Sequence, residues 1–383
     1  MPRFLPLTKG LGYVAMGNMV SAASAGLFWL LVASIISTDD YGILSYDLAL
    51  ISILGSVALI GSTTTVTTYV AKDELNIVKS FSLPLLLTTL ACSAFLLFSN
   101  LPLQMFLALL GLSFFTITTA EKLGQRKFKE YMLMLIAHRV LQISLSVLLF
   151  YFLGIGGIIL GYAAGYLTFS WPFIIHLLHF KTDLSSLRSH LRYTIHSYAV
   201  DLSKNLSLFA DKLIIAPVFG FAILGMYQLG MQFLLLLAVI PSVFFSYTLP
   251  QEASGSKQKG TRIFGIVSTV ILSLLFIVLA PSVIPIVFPK FSEAVPIIQL
   301  ISIGALPMAI VYNTQSSLLA SENTKPVFIS AAIFVGSQYG LILILGHALG
   351  ALGLAIAIVS ALSIQCAFIS LYSRHYALTR TTT

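Results

Sequence analysis

The chain has 383 residues, of which 58% are hydrophobic and only 9% are charged; it has two cysteines and a formal net charge of +8. A soluble domain carries about a quarter charged residues, because its surface must face water. The composition therefore excludes a soluble globular protein and predicts an integral membrane protein. The basic residues lie in short segments between apolar runs rather than on one domain, which argues against a nucleic-acid partner.

Runs of about twenty apolar residues, separated by charges, Pro or Gly, set the number of predicted helices. They predict an all-α polytopic membrane protein of about twelve transmembrane helices in two six-helix lobes. The predicted spans are 11–36, 43–71, 80–99, 102–120, 131–153, 156–180, 194–219, 222–249, 262–288, 295–320, 327–346 and 350–373. The longest polar stretch predicts a cytoplasmic linker at 181–193, between an N-terminal lobe at 1–180 and a C-terminal lobe at 194–383.

The distribution of Lys and Arg predicts how the chain is oriented in the membrane. Of the 21 basic residues, 17 fall on one side of the predicted spans and only Lys290 falls on the other. The remaining three, Arg139, Lys204 and Lys212, lie inside spans. Because loops rich in Lys and Arg stay in the cytoplasm, we expect a multi-pass protein of the cell (cytoplasmic or inner) membrane with both termini in the cytoplasm.

Short glycine motifs recur at matching places in the two halves of the sequence. Leu-Gly-x-x-Gly occurs at 153–157 and at 349–353, in each case between the last two spans of a half. Gly42 and Gly225 each follow the first span of a half. Since each half has six spans, both halves start on the same side, which predicts a parallel repeat about a pseudo-two-fold axis along the membrane normal. A cavity between the halves is the expected place for a ligand.

The seventh span carries the densest group of polar side chains inside any apolar run: Asp201, Lys204, Asn205, Asp211 and Lys212. At 100° per residue they fall within about 120° of arc, which makes one polar stripe. Ionisable groups in hydrocarbon cost several kcal/mol unless they face water or protein. Two interpretations stay open. The stripe is either a ladder of ion pairs, with Asp201 bound to Lys204 and Asp211 to another helix, or the lining of an aqueous cavity, which we favour.

Three further polar residues inside spans are candidates for the same cavity. Arg139 and Gln142 share one face of the fifth span, and Arg139 either lines the cavity or extends back to the interface. Asp47 lies one turn inside the second span and either lines the cavity or reaches outer water. His138 is interpreted as an interfacial or packing residue, because no carboxylate or cysteine converges on it.

Motifs of the common catalytic and cofactor sites are missing from the sequence. There is no Walker-type loop, no Gly-x-Ser-x-Gly and no His-Glu-x-x-His. Cys92 and Cys366 lie inside apolar runs without metal-ligand spacing. The outer loops are tiny, so we predict that the protein is not an enzyme and has no catalytic residue, cofactor or metal site.

Five segments carry a resemblance to a known family: Asp40–Ser45, Asp211–Ile215, Leu224–Tyr227, Pro285–Ala294 and Leu319–Lys325. The first resembles a polar-Tyr-Gly-x-x-Ser turn, the next two the helix 7 to helix 8 signature, and the last two the helix 9–10 region of the polysaccharide (O-antigen type) flippases. These belong to the multidrug/oligosaccharidyl-lipid/polysaccharide exporter superfamily.

The resemblance implies two lobes that alternate between inward-open and outward-open states and carry a polyprenyl-pyrophosphate-linked oligosaccharide across the membrane. Its helix 7 motif falls on Asp211 and Lys212. The alternative within the same superfamily is an ion-coupled multidrug or cation exporter. The lipid II flippase carries basic residues in its first two helices that this chain lacks, which argues against lipid II as the cargo.

Partners and a coupling ion also follow from this interpretation as expectations. The expected partners are the lipid-linked glycan, membrane lipid and other membrane proteins of polysaccharide assembly. H⁺ or Na⁺ would be a coupling ion if Asp201 or Asp211 titrates or binds sodium during transport.

Overall fold

A computed structural model of the chain describes residues 7–99, 101–178, 185–253 and 258–381. In these residues the structure is helical and contains no strand. The α-helices are α1 Leu7–Ile35, α2 Thr38–Leu59, α3 Ser62–Val70, α4 Asn76–Phe98, α5 Leu103–Gly124, α6 Phe128–Leu153, α7 Ile155–Phe169, α8 Trp171–Leu178, α9 Ser185–Ser189, α10 Leu191–Phe219, α11 Phe221–Ala253, α12 Lys259–Val287, α13 Val295–Ile303, α14 Ala305–Ala320 and α15 Lys325–Thr381. A 3₁₀ helix at Pro289–Ala294 precedes α13.

The helices account for the predicted spans. In the described ranges nine helical segments are long and apolar enough to cross a membrane, or ten when the bent pair α7 and α8 counts as one span. The long helix α15 is broken at Gly350 and so covers the last two predicted spans. The helix α10 corresponds to the seventh predicted span, whose polar stripe makes it less apolar than the others. The all-α, multi-pass membrane fold is confirmed.

Several spans are broken rather than straight. The second span divides into α2 and α3 at Ile60 and Gly61, both with positive φ. A Cβ on Gly61 would overlap the backbone of Thr194 on α10, so glycine allows a close approach there. The sixth span bends by 63° between α7 and α8, where Pro172 is the second residue of the new helix and cannot donate a backbone hydrogen bond.

The described chain forms two compact units. Unit 1 contains Met1–Phe28 and Tyr46–Leu213, and unit 2 contains Trp29–Ser45 and Ile214–Thr383. The helices α1, α2 and α10 therefore contribute residues to both units. The predicted linker at 181–193 lies partly outside the described residues, and its remainder forms α9 and the start of α10.

Each unit has its own apolar core. In unit 1, buried residues of α3, α4, α5 and α8 pack together, including Val66, Phe81, Ile117 and Phe173. In unit 2, Val311 and Leu318 of α14 pack against Ile369 of α15. Aliphatic and aromatic side chains at helical spacing build these cores, because close packing gives each side chain van der Waals contacts with the neighbouring helices.

Matching glycines adopt matching geometry in the two halves of the sequence. Gly154, between α6 and α7, has φ 60° and ψ −141°, and Gly350, inside α15, has φ 59° and ψ −135°. In unit 2, a Cβ on Gly42 would overlap the carbonyl oxygen of Phe221, and one on Gly225 would overlap that of Thr38. Each overlapping carbonyl lies four residues before the opposite glycine, so the contact is reciprocal. These local geometries support the predicted repeat.

Candidate functional site

All eight predicted site residues belong to unit 1, including those on α10 that the sequence assigns to the C-terminal half. They fall into three places in the unit, which are α10, whose first part contacts α3, the α6–α7 contact, and α2. In the part of the chain that the structure describes, no group of three or more His, Cys, Asp or Glu residues could hold a metal ion.

The first place joins the N-terminal half of the polar stripe to α3. The Thr64 hydroxyl donates to the Asp201 carboxylate, at 3.2 Å from Oδ2 and 3.4 Å from Oδ1. Asn205 Nδ2 donates to the backbone carbonyl of Asp201 at 3.0 Å. Two further hydroxyl pairs join the same helices, Thr65 with Thr194 at 3.4 Å and Thr68 with Tyr193 at 2.9 Å.

The sequence analysis did not single out these threonines. The segment Ser62–Val70 contains five threonines in nine residues, and this density of hydroxyls inside an apolar span was the available signal. Their hydroxyls give the carboxylate and hydroxyls of α10 a polar neighbour, so α3 forms part of the candidate site.

Lys204 lies on the same stripe and has a different environment. Its side chain is exposed, and no carboxylate of the described residues lies within 4.0 Å of its Nζ. The ion pair between Asp201 and Lys204 that the ladder interpretation requires is therefore not formed in the described structure. Within the described ranges, the charge of the Lys204 ammonium is therefore not offset by an ion pair.

Lys212, two turns farther along α10, is paired locally. Its Nζ lies 3.1 Å from Asp211 Oδ1 and donates to the carbonyl of Leu208 at 3.0 Å, and its charge lies 5.5 Å from the centre of the Phe209 ring. The Asp211 side chain is 2% exposed and that of Lys212 is 9% exposed. This buried pair has the character of a structural ion pair, although between adjacent residues rather than to another helix.

The second place lies on α6 where it packs against α7. Arg139 Nη1 donates to Gln142 Oε1 at 2.7 Å, and Gln142 is fully buried. A Cβ on Gly165 of α7 would overlap Gln142, so glycine makes the close packing possible. Arg139 Nε and Gln142 Nε2 have no hydrogen-bond partner in the described ranges. No carboxylate of those ranges lies within 4.0 Å of the guanidinium.

His138 is a buried packing residue beside this pair. Its ring stacks on that of Tyr166 and is tilted to that of Phe115, with each ring centre 4.4 Å away. Neither ring nitrogen has a hydrogen-bond partner among the residues that the structure describes. The sequence analysis interpreted His138 as interfacial or packing, and the structure places it in packing. The α6–α7 contact therefore contains several buried polar atoms that have no hydrogen-bond partner in the described part of the chain.

The third place is Asp47 on α2. The residue is 8% exposed, and no hydrogen bond or ion pair joins its carboxylate to another described residue. A buried carboxylate without a partner is costly in a membrane-spanning helix. Asp47 therefore differs from Asp201 and Asp211, whose carboxylates both accept hydrogen bonds.

Unit 2 contains a polar network that the sequence analysis did not select. Glu252 at the end of α11 is paired with Arg262 on α12 and accepts from the Ser316 hydroxyl at 3.2 Å. Ser316 and Thr248 share a further hydrogen bond of 2.9 Å. This network connects α11, α12 and α14. Because Glu252 and Arg262 are paired, their charges offset each other.

These features define a class of protein, a polytopic helical membrane protein with charged residues inside its spans. No protein-family model matches the sequence, and no curated protein matches it significantly. Solved structures do match. The lipid II flippase MurJ in an inward closed conformation has a TM-score of 0.76 at 15% identity, over 94% of this chain and 87% of that chain.

Two further neighbours come from another branch of the same superfamily. An inward-facing multidrug resistance MATE family transporter of the MOP superfamily has a TM-score of 0.63 at 16% identity, over 98% of this chain and all of that chain. The outward-facing form of such a transporter has a TM-score of 0.61 at 16% identity, over 98% of this chain and 97% of that one. The chain thus has the MOP transporter fold. Its neighbours are transporters and flippases rather than enzymes.

Proposed function

We propose that the protein is a flippase that moves a polyprenyl-pyrophosphate-linked oligosaccharide, a polysaccharide precursor, across the cytoplasmic membrane by alternating access. The observation that carries the proposal is the positive charge of Lys204 and Arg139 in unit 1, since neither has a carboxylate within 4.0 Å among the residues that the structure describes. A cation inside a membrane-spanning unit is costly without a counter-charge. An anionic cargo would supply that charge while it is bound.

A cargo of this kind needs polar and positively charged groups along its path through the membrane, and the site supplies both. A sugar–pyrophosphate head group cannot cross about 30 Å of hydrocarbon unless polar groups replace its water. Lys204 and Arg139 would offset the phosphate charge. Gln142, Asn205 and the hydroxyl of Thr64 are of the kind that binds sugar hydroxyls. The MurJ neighbour, a lipid II flippase by name, supports a lipid-linked cargo for this fold.

The second candidate is an ion-coupled multidrug or cation exporter, and Asp47 is the observation that favours it. A buried carboxylate without a described partner is suited to a proton, a sodium ion or a cationic substrate. The MATE neighbours support this candidate at the level of the fold. In the flippase, Asp47 would be the residue that couples transport to H⁺ or Na⁺, so the two candidates differ in the cargo rather than in the presence of an acidic site.

The proposed location is the cell membrane, with both termini in the cytoplasm. The 17 basic residues predicted on one side support this orientation. The lipid-linked glycan and other membrane proteins of polysaccharide assembly are the proposed partners.

Complementation of a flippase-deficient strain tests the cargo. The double substitution Arg139→Gln and Lys204→Gln should lower glycan export by about tenfold or more, since each charge-assisted contact is worth ~1.5–3 kcal/mol. Membrane protein levels should stay unchanged. Lys129→Gln is the matched control, because Lys129 is exposed at the start of α6 outside the site, and it should export normally.

Two results would count against the flippase. Normal glycan export by the double variant would remove Lys204 and Arg139 from the site. Resistance to cationic drugs that depends on the gene and is lost in Asp47→Asn, with no effect of the gene on glycan export, would establish the exporter instead.

A further inference from the structure

Unit 2 contains an apolar cavity that no part of the proposed cargo path uses. Its volume is about 140 Å³, and it lies between α11, α12 and α13. All the residues that line it are apolar: Phe233, Leu275, Phe276, Leu279, Ala280, Val283, Ile284 and Ile298. An apolar cavity of about this size stays dry in proteins and takes up apolar molecules.

The cavity is a groove along α12 with a rim and a floor. Leu275, Leu279 and Val283 form the rim at i, i+4 and i+8, and they are 48%, 44% and 41% exposed. The floor follows the neighbouring row of the helix, where Ala280 is 4% exposed, and ends on the fully buried Ile298 of α13. From 275 to 284 the helix rises by about 13 Å, so the groove is elongated parallel to α12.

A small residue creates the space. Ala280 stands between Phe276 and Ile284 in the floor row, and its single methyl group leaves the room that a larger side chain would fill. The rings of Phe233 and Phe276, whose centres are 5.5 Å apart, close one side of the groove. The groove therefore depends on alanine at position 280.

Hydrogen bonds between α12 and α13 hold the walls in place. Pro281 lacks the N–H that would bond to the carbonyl of Ile277, and Gln299 of α13 donates to that carbonyl instead, at 2.8 Å. The Ser273 hydroxyl donates to the backbone carbonyl of Ser302 at 2.6 Å. These bonds fix the spacing of the two helices near the groove, which keeps it from closing by a simple approach of α13.

We infer that this groove binds a hydrocarbon chain of a membrane phospholipid. The helix α12 has the highest mean hydropathy of the described spans, and little of it is buried in the protein. Lipid tails are as apolar as leucine, so the gain comes from packing into a space that would otherwise have no contact atoms. Phospholipid is also the solvent of the span, which makes its acyl chain the most abundant apolar group at the rim.

A phospholipid with a photoactivatable diazirine in the middle of one acyl chain tests the inference. The full-length protein is reconstituted with this lipid, irradiated and analysed by mass spectrometry. Labelling of Phe233 is expected, because this residue of α11 lines the groove and is 7% exposed, so a chain inside the groove contacts it. Absence of label on Phe233 in the unaltered protein would overturn the inference.

Variants that fill the groove sharpen the test. Ala280→Leu should reduce labelling at Phe233 by about tenfold. Ala280→Val, the smaller change, should give an intermediate reduction that decides the matter if the leucine variant does not fold. Val278→Leu is the matched control on the same helix, since Val278 is 71% exposed and does not line the groove; it should label like the unaltered protein. Unchanged labelling in both Ala280 variants would contradict the assignment.

The identity of the bound hydrocarbon chain is tested in a parallel experiment. A diazirine-bearing polyprenyl phosphate replaces the labelled phospholipid in a second reconstitution. Labelling of Phe233 by the polyprenyl probe alone would overturn the assignment to phospholipid. Export assays with Ala280→Leu keep this result separate from the proposed function, because the groove site predicts loss of label whether or not glycan is exported.

Discussion

Lys204 and Lys212 lie eight residues apart on one helix, yet they have opposite surroundings. Lys212 is buried beside Asp211, whereas Lys204 is exposed and has no carboxylate within 4.0 Å in the described residues. The sequence places both on one polar stripe. The buried pair is suited to stabilising the fold, whereas contact with an anionic cargo is the role that the proposed function gives to Lys204.

The stability of the Asp211–Lys212 pair can be measured directly. Asp211→Asn leaves a buried ammonium without its neighbouring carboxylate, so it should destabilise the protein by about 3 kcal/mol or more. The double change Asp211→Asn and Lys212→Met removes both charges and should recover most of that loss. Thermal unfolding of the purified protein in a fixed detergent reports the difference.

Lys204→Met is the matched control for this measurement. It removes a lysine from the same helix that has no carboxylate partner in the described structure. No ion pair is lost, so this variant should be at least as stable as the unaltered protein. An Asp211→Asn variant as stable as Lys204→Met would show that the buried pair contributes nothing to stability.

At the level of helices, the start of α2 and the start of α11 meet in unit 2 through two glycines. Gly42 and Gly225 each leave room for a backbone carbonyl of the opposite helix, those of Phe221 and Thr38. The aromatic residue Tyr41 beside this contact is fully buried between Trp29 and Phe291, with ring centres 5.5 Å away on each side. The recurrence of glycine in the two halves is thus explained by one shared contact.

Gly225→Ala should destabilise unit 2, because its methyl group would overlap a main-chain carbonyl that cannot rotate away. We expect a loss of about 1–3 kcal/mol, the usual cost of overpacking. Gly42→Ala should cost a similar amount, since the overlap is reciprocal. Thermal unfolding and the yield of folded protein measure both.

The control for these glycines is Gly340→Ala. Gly340 lies in α15 with nothing within 4 Å of an added Cβ. Alanine there should be neutral or should stabilise the helix by about 0.5–1 kcal/mol. If the Gly225 and Gly340 variants had equal stability, the close approach of α2 and α11 would not exist in the protein.

At the scale of the whole molecule, the grouping of helices differs from the order of the sequence. The stripe of α10 comes after the midpoint of the chain but belongs to unit 1, together with α3 and α6. The segment Trp29–Ser45 comes early in the chain but belongs to unit 2. All the predicted site residues are in this way gathered in one unit.

The orientation in the membrane is a prediction at this scale. In a background with Cys92→Ser and Cys366→Ser, a cysteine at Ser292 should react with a membrane-impermeant maleimide on intact cells. A cysteine at Lys129 should react only after the membrane is permeabilised. Both positions are exposed in the structure, so access to the reagent depends on the side of the membrane, and the reverse labelling pattern would contradict cytoplasmic termini.

Much of the fold was predictable from the sequence, because length and hydropathy act locally. About twenty apolar residues are needed to cross the hydrocarbon, and the predicted spans correspond to the observed helices, including the pair within α15 separated at Gly350. The breaks at Gly61 and Gly304 were not predicted. The hydropathy of an apolar run is the same whether the run forms one straight helix or two shorter ones, so it does not predict a break.

The sequence by itself determined the class of protein, the positions of its helices and the polar stripe of α10, because these follow from composition and helical periodicity. Only the tertiary structure decided that Asp201 accepts from Thr64, 137 residues away, and that Lys204 has no carboxylate within 4.0 Å in the described residues. Pairing depends on distances of a few ångströms between side chains of different helices. The packing of the helices sets those distances, and the periodicity of a single helix does not predict that packing.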